Sequence, residues 1–179
     1  MAPPRRIQAV VFLPEPAASA VQELRSSYDP AMAARIDPHI TIVYDVTDLD
    51  LLGARLTTAT DAVAPFPITL GNPRCWGGHP DGGIFLEVHD PDGGIERLRD
   101  HVMVPPFVQP EGLTYRPHVT LVHPRSTTAP DRALAWTSVQ EWTLASDTVL
   151  VSRVDVIGGD DHGWKVLASY ELTAGPEAR

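Results

Sequence analysis

"YRPHVTLVHP", residues 115–124, is strand-like in its aliphatic content, yet it places a histidine at its start and a threonine two residues on. The same pattern stands earlier in "IDPHITIVYD", residues 36–45. Pro38-His39-Ile40-Thr41-Ile42-Val43 and Pro117-His118-Val119-Thr120-Leu121-Val122 agree at every position, identically or by an aliphatic exchange. Side chains of a strand alternate between two faces. His39, Thr41 and Val43 therefore share one face and Ile40 and Ile42 the other, and His118, Thr120 and Val122 likewise oppose Val119 and Leu121. Burial explains the aliphatic faces. It does not explain a polar pair repeated in register.

The flanking sequence repeats as well. An apolar run over Ile7–Leu13 reads as a strand, and Ala17, Val21, Leu24 and Tyr28 follow at helical spacing. The first motif strand, His39–Val46, comes next. A helix capped by Asp48 or Asp50 then presents Leu52, Leu56, Ala59 and Val63, and "FPITLGN" from Phe66 forms another strand. The second half gives a strand over Gly83–Asp90, a helix with Ile95, Leu98 and Val102 behind a possible Asp92 cap, and the motif strand His118–His123. A helix with Pro130 in its first turn follows. One long or two short strands are expected from Trp142 to Ile157, and a last strand over Trp164–Leu172 after a "GGDDHG" hairpin loop.

The order strand, helix, motif strand, helix, strand thus occurs twice. It predicts an α+β protein, a bilobal pseudo-twofold duplication in a single domain over residues 1–179. Lobe one covers about residues 1–75 and lobe two about residues 83–175, with the motif strands facing a central groove.

Composition narrows the function. Hydrophobic residues make up 43% and charged residues 21% of the 179, as in globular proteins. One cysteine, Cys75, allows no internal disulfide and fits a cytoplasmic location. The short apolar run at Ala9–Leu13 is no membrane segment, and no membrane partner is expected. A net charge of -9 argues against an extended nucleic-acid binding surface, although local cations at Arg74, Arg116 and Arg125 leave room for a small anionic ligand.

Two converging histidines suit in-line attack on a phosphodiester. A neutral ring takes a proton from the attacking oxygen, and a protonated ring gives one to the departing oxygen. Threonine hydroxyls can donate to the non-bridging oxygens as charge accumulates. Threonine is a poor metal ligand, and no carboxylate or cysteine recurs at matching spacing, so neither a metal site nor a cofactor is expected. The glycine-rich "RCWGGHPDGG", residues 74–83, offers Trp76 for stacking and Arg74 for phosphate, or is simply a crossover loop. Tyr115 and Arg116 stand at the groove mouth as further candidate substrate-binding residues. Tyr44 and His123 take the face away from the motif side chains, with a structural role. His79, His89, His101 and His162 read as surface or turn residues.

Paired H-x-T strands behind proline, in a chain of this length and element order, resemble the two-histidine (2H) phosphoesterase superfamily. The similarity is greatest to its 2'-5' RNA ligase and cyclic phosphodiesterase branch. That resemblance carries over to His39, Thr41, His118 and Thr120. It implies metal-independent opening of a 2',3'-cyclic or related phosphate, with His118 as base and His39 as acid, the near-symmetry leaving the roles exchangeable. It also allows reversible ligation. The chain departs from the RNA-processing branch at His123, where arginine is common, and at Tyr44-Asp45-Val46, in place of a phenylalanine-leucine-glycine turn. The expected partner is a small nucleotide or an RNA terminus, bound by a monomer. A nucleotide-binding module without turnover is the alternative.

Overall fold

A computed structural model describes residues 6–109, 114–145, 147–160 and 163–173. Its elements run β1 (Arg6–Phe12), α1 (Ala17–Tyr28), α2 (Pro30–Ala33), β2 (His39–Val46), α3 (Leu49–Ala62), β3 (Phe66–Cys75), β4 (Ile84–His89), α4 (Gly94–Val102), β5 (His118–Val122), α5 (Ala129–Val139), β6 (Thr148–Val151), β7 (Arg153–Asp160) and β8 (Gly163–Glu171). The α+β class expected from the sequence is the one observed. Asp48 accepts the Leu51 N–H to open α3, and Thr128 with Asp131 forms a reciprocal capping box on α5.

Three local expectations differ. The α4 start is held by Asp90, not Asp92: its carboxylate accepts the N–H groups of Gly94 and Ile95 at 3.0 and 2.7 Å. Gly93 takes φ 64 there, which frees the turn from any Cβ penalty. The strand expected from Trp142 begins only at Thr148, because the Trp142 N–H turns back to the Val139 carbonyl. Gly158 to Asp160, assigned to the hairpin loop, extend β7. Asp161 and His162 lie outside the described residues.

All the strands form one sheet, in the order β6-β3-β4-β5-β2-β1-β7-β8, and every pairing is antiparallel. The two motif strands β2 and β5 are neighbours at its centre. The flanks are not the consecutive halves of the chain. β3, from the first half, pairs with β4, while β7 and β8, from the end, extend the sheet beyond β1. The strand exchange crosses the division near residue 75.

One face of the sheet carries the main core. Ile40, Ile42, Val119 and Leu121 are fully buried there, in one cluster with Val21 of α1, Leu52 and Leu56 of α3, Leu98 of α4 and Ala135 of α5. Burying such a side chain contributes about 1.5–3 kcal/mol, so the aliphatic faces of β2 and β5 fix both strands firmly. The opposite face holds a small separate cluster of Val10, Ile36 and Ile157, with Phe12, Met32 and Trp164 against it. Among the described residues no helix is long and apolar enough to cross a membrane.

Candidate active site

The registration of β2 on β5 decides the site. Ile40 pairs with Val119. One residue further each way, His39 lies opposite Thr120 and Thr41 opposite His118, all four on the face away from the core. The two antiparallel strands are therefore related locally by a twofold through the Ile40–Val119 pair. The motif strands are not opposed walls: they lie side by side and form one floor, with the two histidines on a diagonal.

Above that floor is a cavity of about 690 Å³, lined by His39, Thr41, His118 and Thr120 together with Trp76, Tyr115 and Arg116. Seven of the eight candidate residues are thus brought together. Arg74 is the exception. It stands in β3 opposite Phe85, outside the cavity lining, and its Nε binds Glu87 Oε2 at 3.2 Å at the surface. Its guanidinium is engaged with a carboxylate on the neighbouring strand.

Each histidine is oriented in the same way. His39 Nδ1 is 2.8 Å from the Asp37 carbonyl, and His118 Nδ1 is 2.8 Å from the Arg116 carbonyl. A carbonyl only accepts, so Nδ1 carries the hydrogen in both rings and Nε2 is left as the reactive atom. The proline of each motif sits between the histidine and that carbonyl. Aromatic edges pack beside the rings. Phe12 meets His39 at 6.0 Å between centroids, and Phe85 meets His118 at 5.7 Å. Trp76 stacks on Phe85 at 4.2 Å and presents an edge contact to His118 at 4.9 Å.

Burial makes both rings reluctant to charge. Desolvation holds His39 down at about 4, helped by the nearby Arg25 and His118 and opposed by the bond to Asp37. Desolvation also lowers His118, opposed by the bond to Arg116. In the free protein both rings are neutral at pH 7.

Tyr115 lines the cavity, but its hydroxyl donates to the Thr41 carbonyl at 2.9 Å, and Arg99 lies 3.4 Å from its ring centroid. Burial raises its hydroxyl far above the usual phenol range. Arg99 in turn donates to the Ile42 carbonyl and to Gln109 Oε1. The tyrosine three residues ahead of the second motif histidine thus braces the first motif strand.

Tyr44 and His123 differ from expectation, for both line the cavity. β2 carries a bulge: Val43 pairs with Ala9 and Val46 with Ile7, setting Tyr44 and Asp45 against Gln8 alone, and Asp45 takes φ 56. A bulge re-aims the side chains around it. β5 ends at Val122, so strand alternation does not govern His123. His79, His89 and His101 are exposed, as surface residues should be.

Other site residues have weak sequence signals. Asp29 is fully buried and accepts from His123 N at 2.8 Å, Ser126 Oγ at 2.7 Å and Met32 N at 3.1 Å. It clips the loop after the second motif strand to the start of α2. Arg25, 2% exposed, lines the cavity while donating to Gln22 Oε1 and the Met32 carbonyl, and its Nε has no hydrogen-bond partner among the described residues. An arginine beside Val21 and Leu24 on the buried face of α1 was the available clue. Among the described residues, no three His, Cys, Asp or Glu side chains cluster as a metal site requires.

Comparison with curated proteins by sequence gives no match. Solved structures match in shape. The crystal structure of E. coli LigT complexed with 3'-AMP aligns with TM-score 0.62 and 17% identity, over 95% of this chain and 99% of that one. That of TT0787 of Thermus thermophilus gives TM-score 0.60 and 17% identity, over 94% and 98%. Such identities speak for a shared fold alone. The sequence itself carries the assignment further: the family model described as the 2'-5' RNA ligase superfamily matches residues 13–163, and the chain belongs to that superfamily.

Proposed function

We propose that the protein is a metal-independent phosphodiesterase that opens a 2',3'-cyclic or related cyclic phosphate of a nucleotide or RNA end. Its superfamily membership supports phosphodiester chemistry on nucleotides or RNA. The observation that carries the reading is the paired orientation of His39 and His118, each with Nδ1 hydrogen-bonded to a carbonyl and Nε2 left for the cavity.

In this reading the phosphorus sits over the Ile40–Val119 axis. One neutral ring takes the proton of the attacking water through Nε2. The other, protonated, gives its Nε2 proton to the departing ribose oxygen, so the ring opens to a phosphomonoester and the imidazoles exchange protonation states. Each such transfer contributes about 10²–10⁴-fold. Thr41 and Thr120 donate to the two non-bridging oxygens. The resemblance makes His118 the base and His39 the acid. Burial leaves His39 uncharged in the free protein, so the acidic form depends on the anionic phosphate, whose charge raises the pKa of a neighbouring imidazole. Substrate arrival thus creates the acid. Trp76 and Arg116 supply stacking and charge at the mouth, and Tyr115 acts through its ring and its bond to β2.

Incubating the protein in EDTA with 2',3'-cyclic mononucleotides, ADP-ribose cyclic phosphate and RNA bearing a cyclic end tests this. The expected result is release of a phosphomonoester, followed by ³¹P NMR, from at least one of them. Tight binding of all of them without product would replace catalysis with a nucleotide-binding role.

A further inference from the structure

Helix α5 buries an arginine where its inner stripe calls for an apolar side chain. Arg132 is 7% exposed and stands with Ala135 and Val139 on the buried face of the helix. A guanidinium taken out of water is costly unless its donors are used. Its Nε donates to the Pro80 carbonyl at 3.0 Å. Its Nη1 donates to the Thr127 carbonyl at 2.6 Å, and to Thr127 Oγ1 and the Pro124 carbonyl at 3.3 Å each. One side chain thus bonds two loops that are far apart in the chain, the one over 76–83 and the one over 123–128.

Both loops belong to the rim of the histidine cavity. The first begins with Trp76, which stacks on Phe85 and sets its edge to His118. It closes on itself: the Trp76 N–H donates to the Gly83 carbonyl at 3.2 Å, and the Gly83 N–H to the Pro80 carbonyl at 2.9 Å. The Pro80 oxygen therefore accepts both this closing bond and the bond from Arg132. The second loop gives His123, Pro124, Arg125 and Ser126 to the cavity lining, and Asp29 also holds it. The two loops touch at Gly83, where φ is 96 and a Cβ would come within 2.8 Å of Pro124 Cδ and 2.9 Å of the Val122 oxygen. Only glycine permits that approach.

The bonding pattern calls for arginine in particular. Nε and Nη1 lie in one rigid plane, so the bonds to the two loops are fixed in direction relative to each other. An ammonium on a flexible stem would hold one carbonyl without fixing the second. Arg132 itself stands outside the cavity lining. The motif histidines and threonines sit on β2 and β5, whose aliphatic faces are anchored in the main core independently of either loop.

From this we infer that Arg132 is a positioning residue for substrate binding. It clamps the Trp76 loop to the loop of His123 and Arg125, so that the indole and the cation meet the ligand as one preformed rim. Preorganisation of this kind lowers the ordering cost of binding and leaves the proton transfers untouched. The inference rests on the proposed function only in taking Trp76 and Arg125 as ligand contacts.

Two replacements test it. Arg132→Lys keeps the charge without the planar fork, and Arg132→Met keeps the packing without the bonds. Amide exchange followed by NMR in the free protein needs no substrate. Exchange is expected to rise at least about tenfold at Gly83 and Ser126 in both variants, with Val119 and Leu121 unchanged. In hydrolysis of a 2',3'-cyclic nucleotide, KM should rise at least about fivefold while kcat stays within about twofold of wild type. Combined with Trp76→Ala, the loss should be smaller than the product of the separate losses, because the ring being positioned is gone. Exchange rising equally along β5, an unchanged KM, a fall in kcat alone, or losses that multiply in full would overturn the clamp. If the wild-type protein turns over no cyclic phosphate, the catalytic reading fails. The KM comparison is then made on the calorimetric dissociation constant of adenosine 2'-monophosphate, and the exchange and affinity outcomes still decide the clamp.

Discussion

His39 and His118 lie on a diagonal across the Ile40–Val119 pair, and each rests its Nδ1 at 2.8 Å from the carbonyl two residues before it. The two rings are thus presented by the same local device, in strands that touch. Sheet registration sets their separation, and no movement of one lobe on another is needed to bring them together.

The first consequence concerns pH. The productive form holds one proton on the two rings, and burial lowers both pKa values, His39 to about 4 and His118 below its usual 6.5. The kcat/KM profile, which reports the free protein, should be bell-shaped with its maximum below pH 6.5, falling toward neutrality as the last ring proton is lost. The kcat profile should lie at higher pH, because bound phosphate raises both rings. Coincident profiles with maxima above about pH 7 would show that the buried rings are not the titrating groups.

The hydroxyls give a second prediction. Thr41→Val and Thr120→Val retain shape and β-branching, so circular dichroism and Tm should change little. Each should lower kcat by about 10–10²-fold, less than the loss of about 10²–10³ seen for the strongest oxyanion donors. Wild-type kcat in both would remove the threonines from the chemistry.

Stability should depend on His39. Its pKa is about 4 when folded, against a usual 6.5, so the unfolded chain binds more protons between those values. The sign follows: this stability is complete above pH 6.5 and is lost as pH falls toward 4, reaching roughly 3 kcal/mol at full protonation. Urea unfolding at a series of pH values should show a shallower acid slope in His39→Gln than in wild type. An unchanged slope would mean that the ring is not desolvated.

Asp29 supplies a further test. With three hydrogen bonds and no exposure, Asp29→Ala should cost about 2–4 kcal/mol in urea unfolding. Hydrogen exchange should rise at the amide of His123, which loses its acceptor. Protection unchanged at His123 would contradict the clip.

Much of this site was legible in the sequence, because its core is local. Strand alternation alone places His39 with Thr41 and His118 with Thr120, and the aliphatic residues between them name the buried face. The same local logic failed where the backbone departs from alternation. A bulge at Asp45 brought Tyr44 to the cavity, and the strand end at Val122 released His123 from it. Arg74 was misplaced because its partner, Glu87, lies on the adjacent strand, a pairing that sequence distance hides. Trp164 and Arg6 sit at opposite ends of the chain and meet only because β7 carries both β1 and β8 beside it, an exchange of strands that the repeated element order does not reveal.

Single-turnover kinetics in EDTA on the wild-type protein, His39→Ala, His118→Ala and the double variant test the shared role of the two histidines most directly. The two-histidine account predicts cleavage of a cyclic phosphate by wild type. Each single replacement should lose at least about 10³-fold, and the double variant little more than either, because groups acting as a unit are not additive. Wild-type rates in either single variant, or turnover that appears only with an added divalent metal, would contradict it.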